Sequence, residues 1–150
     1  MIMIKDIILA SKSGVRKQIL ENNGITCEAI SANIDEDLIK NSLIEKGVNP
    51  TLISKNLAEV KSTKISNKFT DKIVIGADSV IDLSGELISK PKNRDEALII
   101  LKKLNGQKHQ LISSVCISKN GSMIWNFTDA STLTMKQLNL GEIKSYLTKI

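Results

Sequence analysis

The run Lys72-Ile73-Val74-Ile75-Gly76-Ala77-Asp78-Ser79-Val80-Ile81, in the middle of the chain, limits the fold more than any other feature. It is β-branched and apolar without polar alternation, the mark of a strand covered on both faces, with a polar interruption at Asp78-Ser79. Ile7-Ile8-Leu9 has the same character and enters a small-residue turn, Ala10-Ser11-Lys12-Ser13-Gly14. A helix follows, capped by Ser13 or Ser11, with Val15, Ile19 and Leu20 on one face and Asn23-Gly24 as its stop. Thr26 to Ser31 predicts a second strand, and Leu38 to Lys46 a helix ended by Gly47. Asn49-Pro50 opens another helix with Ile53, Leu57 and Val60 on its apolar face and Lys61 at the edge of that face. Glu86 to Ser89 returns as a short strand, Arg94 to Leu104 has helical spacing, and a last helix runs from about Gly141 to Leu147. Leu111 to Ile117 and Met123 to Met135 form a hairpin across Asn120-Gly121. Strands that first alternate with helices and then pair antiparallel make an α/β fold, a mixed twisted sheet flanked by helices.

At 150 residues the chain is one domain spanning 1–150, since a single core rarely splits below roughly 250 residues. Its 41% apolar and 25% charged residues exclude a disordered or collagen-like chain. No apolar run reaches the ~18 residues of a membrane span. The opening MIMIKDIILA, broken by Lys5 and Asp6, lacks the features of a secretory signal and reads as the first core strand, so a cytoplasmic protein is expected. Lysine and arginine outnumber the acids 21 to 16, a net +5, but the lysines are scattered and aromatic residues are only 3%. A lysine-rich solvated surface explains that charge better than a nucleic-acid footprint, which needs clustered cations and stacking rings. Only Arg16 and Arg94 are arginine, which marks them as places where a planar fork is needed. With one histidine, His109, and two distant cysteines, Cys27 and Cys116, a Cys/His zinc site is implausible. The cysteines read as small, reduced core residues.

Three features carry chemistry. The turn Ser11-Lys12-Ser13-Gly14-Val15-Arg16 leads from a buried strand into a helix, where unpaired N–H groups, hydroxyls and Arg16 together make an anion cradle. It is not a Walker A loop, and serine and glycine at that place also serve as ordinary caps. Asp78 lies at or near the end of an apolar strand, where ligands bind in open α/β sheets, and a buried carboxylate there must be bonded, paired or metal-bound. Lys61 and Lys90 break their local patterns. With Arg16, Asp78 and the acidic Asp35-Glu36 they supply the parts of phosphate chemistry: cations for phosphate oxygens, and carboxylates for a hard divalent ion and a water proton.

These same blocks resemble the Maf family. Ala10-Ser11-Lys12-Ser13-Gly14-Val15-Arg16 is similar to its A-S-x-S-P-R-R, Ile34-Asp35-Glu36 to its I-D-E, and Leu57-Ala58-Glu59-Val60-Lys61 to its L-A-x-x-K-A. Gly76-Ala77-Asp78-Ser79-Val80 resembles G-A-D-T-V, Gly85-Glu86 with Lys90-Pro91 resembles G-E-x-x-x-K-P, and Leu104 to His109 resembles L-S-G-x-T-H. The blocks keep the family's order and spacing over the whole chain. The resemblance implies an inosine-triphosphatase-like fold with a central cleft, and a cytosolic nucleoside triphosphate pyrophosphatase of a family first described as septum-formation inhibitors. It would cleave a non-canonical or pyrimidine nucleotide between the α- and β-phosphates with a divalent metal, Mg²⁺ or Mn²⁺. The resemblance makes Asp78 the proton acceptor, Glu36 and Asp78 the metal ligands, and Ser11, Arg16, Lys61 and Lys90 the phosphate-binding set. It also implies a homodimer.

Two departures qualify this. Gly14-Val15-Arg16 stands where the family has Pro-Arg-Arg, so one arginine is lost, and Val15 and Ser79 occupy positions that set base preference. The choice between a dTTP/UTP branch and a 7-methyl-GTP branch therefore stays open. The chain also stops at Leu147-Thr148-Lys149-Ile150, in or just after the helix similar to the family's L-S-x-x-E-I-x-x-Y, and is short of the family's glycine-rich final segment. That leaves an alternative, a nucleotide-binding or cell-division regulatory module of the same fold without turnover. A basic nucleic-acid binder is the third reading.

Overall fold

A computed structural model describes residues 4–150. The first three residues of the expected opening strand lie outside them. The order is β1 (Ile4–Leu9), α1 (Gly14–Asn22), β2 (Ile25–Ala29), α2 (Glu36–Glu45), α3 (Pro50–Ser66), β3 (Ile73–Leu83), β4 (Glu86–Ile88), α4 (Arg94–Leu104), β5 (Lys108–Lys119), β6 (Ser122–Thr134) and α5 (Leu140–Thr148). The six strands form one mixed sheet in the order β2-β1-β3-β5-β6, with β4 beside β3. The α/β expectation holds.

The apolar strands are buried on both faces, as their composition requires. Ile8 and Val74 pack with Ala10, Ala32 and Ile65 on one side, whereas Ile7, Leu9 and Ile75 pack with Cys27 on the other. The chain turns at Asn120-Gly121, where both residues have positive φ (52° and 81°), the geometry of a two-residue hairpin. Both cysteines are buried and free. Among the described residues, no helix is long and apolar enough to cross a membrane.

Two expectations need correction. The central strand runs through its polar residues Asp78-Ser79 as the sequence implies, but Asp78 is not at its end. β3 runs on to Leu83 because β5 pairs with it antiparallel from Val74 to Asp82, which satisfies its backbone across the polar residues. On the opposite edge β1 pairs only with Ile73, Val74 and Ile75, and β4 joins only at Ile81. Between those partners the edge of β3 is open. Asp78 is thus beyond the end of β1, not of its own strand.

Lys61 is not at the margin of the α3 apolar face but within it. Ile53, Leu57, Lys61 and Ile65 form one buried row, and Ser54, Ala58, Ser62 and Ser66 a second. Small residues in the second row let α3 lie close against β3. At Gly76 the approach is so close that a Cβ would stand 2.3 Å from the Ala58 carbonyl oxygen and 2.8 Å from the Ser62 nitrogen. This contact sets the depth at which Lys61 meets Asp78.

Candidate active site

The open edge of β3 forms the floor of a cleft of about 520 Å³. The turn after β1, the loop before α2, and the helices α2 and α3 supply its walls. Ser11, Arg16, Glu36, Lys61, Asp78, Ser79 and Lys90 all line it. Val15 does not. It is 68% exposed at the start of α1, so the structure leaves this base-preference candidate outside the cleft. His109 is also outside the cleft.

Lys61 organises the centre. Its ammonium lies 2.6 Å from Glu36 Oε1 and 3.1 Å from Asp78 Oδ1, and it donates to the Ala77 carbonyl at 3.3 Å. An ammonium has three protons, so these acceptors engage all of them. The geometry follows from the fold: α3 brings the lysine in from one side, and the open strand edge presents Ala77 O and Asp78. Glu36 reaches over from the first turn of α2, a helix capped by the Asp35 side chain, which accepts from the Leu38 nitrogen at 3.0 Å. The helix therefore begins earlier than its sequence spacing implied.

Asp78 is 4% exposed, and its Oδ2 is buried without a hydrogen-bond partner. Burial pushes its carboxyl above the ordinary range; Lys61 and Lys40 oppose this, Glu36 adds to it, and the net shift is upward. Glu36 moves the other way. Burial would raise it, but the Lys61 hydrogen bond and charge, together with Lys40 and Lys90, bring it below its usual range. Two carboxylates on one ammonium thus have pKa values displaced in opposite directions, the arrangement that separates a base from a permanent anion.

The turn after β1 closes into a capped helix start at the mouth of the cleft. Ser13 caps α1, its Oγ accepting from the Arg16 nitrogen at 3.2 Å, and the Ser13 nitrogen donates to Ser11 Oγ at 3.0 Å. Arg16 leans across the cleft and donates from Nη1 to the Ala77 carbonyl at 3.1 Å. Ser79 is exposed and shares a hydrogen bond with Ser113 at 2.9 Å between the hydroxyl oxygens. Lys90 lines the wall as an exposed cation. Sequence reasoning missed Lys40, which is 9% exposed and lines the same cleft. The available signal was its place four residues after Glu36, on the same helical face.

Among the described residues no group of three or more His, Cys, Asp or Glu side chains could hold a metal. Glu36 and Asp78 alone fit a hard cation that keeps most of its waters and takes one or two carboxylates plus substrate phosphates. The unpartnered Asp78 Oδ2 is consistent with such a ligand.

A family model described as Maf-like protein matches residues 6–149. A nucleoside triphosphate pyrophosphatase of Pelagibacter ubique is 63% identical over 148 residues, covering 99% of this chain and 76% of that protein. A 7-methyl-GTP pyrophosphatase of Brucella abortus is 34% identical over 148 residues, covering 99% of this chain and 74% of that protein. Among solved structures, a HAM1 protein from Coxiella burnetii is similar at TM-score 0.49 and 10% identity, over 86% of this chain and 71% of that one. The match along nearly the whole chain and the 63% identity are decisive: the chain belongs to the Maf-like protein family.

Proposed function

We propose that the chain hydrolyses a nucleoside triphosphate to the monophosphate and pyrophosphate. The observation that carries this is the convergence of Glu36, Lys61 and Asp78 beside the α1 N-terminus, with one buried Asp78 oxygen unpartnered. The names of the relatives support it. In this reading a water oxygen attacks the α-phosphorus, its proton passes to Asp78, and the bond from that phosphorus to the bridging α–β oxygen breaks. Pyrophosphate departs with the electron pair. The raised pKa of Asp78 makes it a better proton acceptor than an exposed aspartate. Arg16, the Ser11 and Ser13 hydroxyls and the amides at the start of α1 hold phosphate oxygens. Lys61 holds the two carboxylates apart and in register, while Lys90 contributes charge from the rim.

Glu36 and Asp78 would hold a divalent cation, magnesium or manganese, which when bound neutralises phosphate charge. Every group assigned to the triphosphate is a hydrogen-bond donor or a cation, which suits phosphate but leaves the base unread. Pyrophosphate release from a panel of nucleoside triphosphates, 7-methyl-GTP included, with magnesium or manganese, tests the proposal. Equal amounts of monophosphate and pyrophosphate are expected. Nucleotide binding without either product would make the chain a binding module instead. Salt-steep binding of polynucleotides with no preference for mononucleotides would make it a nucleic-acid binder.

A further inference from the structure

The cleft has a second opening. A neighbouring groove of about 610 Å³ runs between α2, β4 and α4, and its walls share Glu36, Lys40 and Lys90 with the first cleft. These three side chains mark the junction. Glu36 is already bonded to Lys61, at 2.6 Å. Lys90 is exposed, so its ammonium stays hydrated.

Lys40 differs from the other cations of the cleft. Lys61 spends its donors on Asp78, Glu36 and the Ala77 carbonyl, and Arg16 gives one of its five to the same carbonyl. Lys12 and Lys90 are exposed. Lys40 is 9% exposed, yet no carboxylate or carbonyl accepts from it among the described residues. Its stem is buried in the cleft wall while its ammonium keeps access to solvent, so its protons are free to meet an arriving anion. Its charge reaches both Glu36 and Asp78, which places it within range of the reacting phosphate region.

We infer that Lys40 holds the diphosphoryl end of the substrate, and afterwards the inorganic pyrophosphate, at the junction between the two clefts. The inference rests on the pyrophosphatase reading for its role in turnover, but the anion site stands on its own geometry. Cleavage between the α- and β-phosphates leaves the monophosphate with one phosphoryl group and the pyrophosphate with two. The pyrophosphate is the more highly charged product and needs the stronger cationic contact. Lys40 and Lys90 offer two such contacts beside a groove that leads out past α4. In this arrangement the single phosphoryl group of a nucleoside monophosphate is held by Arg16 and the α1 turn, and not by Lys40.

The test is titration calorimetry with inorganic pyrophosphate and, separately, with a nucleoside monophosphate, both in excess magnesium. Lys40→Met keeps the length of the buried stem and removes the charge. Lys102→Met, on the exposed face of α4 and outside both clefts, is the control. Loss of a charge-assisted contact should weaken pyrophosphate binding on the order of tenfold to a hundredfold. Monophosphate binding, melting temperature and the control should be unchanged. Equal pyrophosphate affinity in the wild type and Lys40→Met would overturn the inference, as would no pyrophosphate binding to the wild type. Parallel weakening of both ligands would also overturn it, because Lys40 would then act on the whole cleft. Since no turnover is needed, a failed pyrophosphatase reading and a failed Lys40 site give different results.

Discussion

Buried polar groups are treated in opposite ways in the two halves of this sheet. On the hairpin side they are uncharged hydroxyls in pairs, Ser62 with Ser118 at 2.8 Å and Ser114 with Thr128 at 2.8 Å, with His109 Nδ1 the exception that lacks a partner. On the cleft side they are charged and incompletely satisfied: Lys61 is shared by two carboxylates, Asp78 keeps a bare oxygen and Lys40 has no partner. The hydroxyl pairs cost little and fix how α3 and β6 lie on β5. The charges cost stability, and a fold retains them where they serve a ligand. The two arginines divide in the same way. Arg16 crosses the cleft to Ala77, whereas Arg94 caps the C-terminal end of α5, donating to the carbonyls of Leu147 and Ile150.

The sharpest way to break this contrast is Lys61→Met. It leaves Glu36 and Asp78 facing each other without the ammonium they share, and breaking a buried pair from one side typically costs ~3–5 kcal/mol. A melting curve should show a large loss at pH 7 that shrinks in acid, where protonation removes the repulsion. Insensitivity to pH would mean that Lys61 contributes only packing.

Arg16→Lys comes next, with a loss of turnover on the order of 10²-fold and little change in melting temperature, because a point charge cannot replace the planar fork. Lys119→Met, on an exposed strand end, should leave both unaltered. If the two variants behave alike, Arg16 is not a phosphate ligand.

On the hairpin side the effects are smaller. Ser62→Ala strands the Ser118 hydroxyl in a fully buried position and should cost ~1–3 kcal/mol by denaturant unfolding. Adding Ser118→Ala should recover much of that loss, since removing both partners is cheaper than removing one. An additive double variant would show that the pair does not interact.

Most of the fold was legible because it follows from periodicity: continuous apolar runs for β1 and β3, helical spacing for α4, and Asn120-Gly121 for the hairpin. The parts of the site lying on local motifs, the Ser11–Arg16 turn and the acid that opens α2, were legible for the same reason. The rest depends on contacts distant in sequence. That Asp78 lies in mid-strand depends on how far β5 pairs with β3. That Lys61 is buried depends on α3 approaching Gly76 closely enough for the lysine to meet an acid 17 residues away. Neither is encoded within one window. Lys40 was hidden by composition: in so lysine-rich a chain, one lysine with a buried stem looks like all the others.

The central claim is that Asp78 is kept for proton transfer at the expense of stability, and Asp78→Asn tests it most directly. Because the folded pKa of Asp78 is raised, its ionisation opposes folding, and that cost grows as pH rises from the usual aspartate range through the raised value. Glu36 has the reverse sign: it stabilises above the ordinary glutamate range and loses this as pH falls through its lowered value. Asparagine keeps the shape and a hydrogen-bond acceptor for Lys61 without the charge. Pyrophosphate release and melting temperature should be measured on the same Asp78→Asn preparation at pH 7. The account predicts a fall in turnover of roughly 10²–10⁴-fold with a melting temperature equal to or above that of the wild type. An active variant that melts lower would contradict it, and would make Asp78 a structural residue.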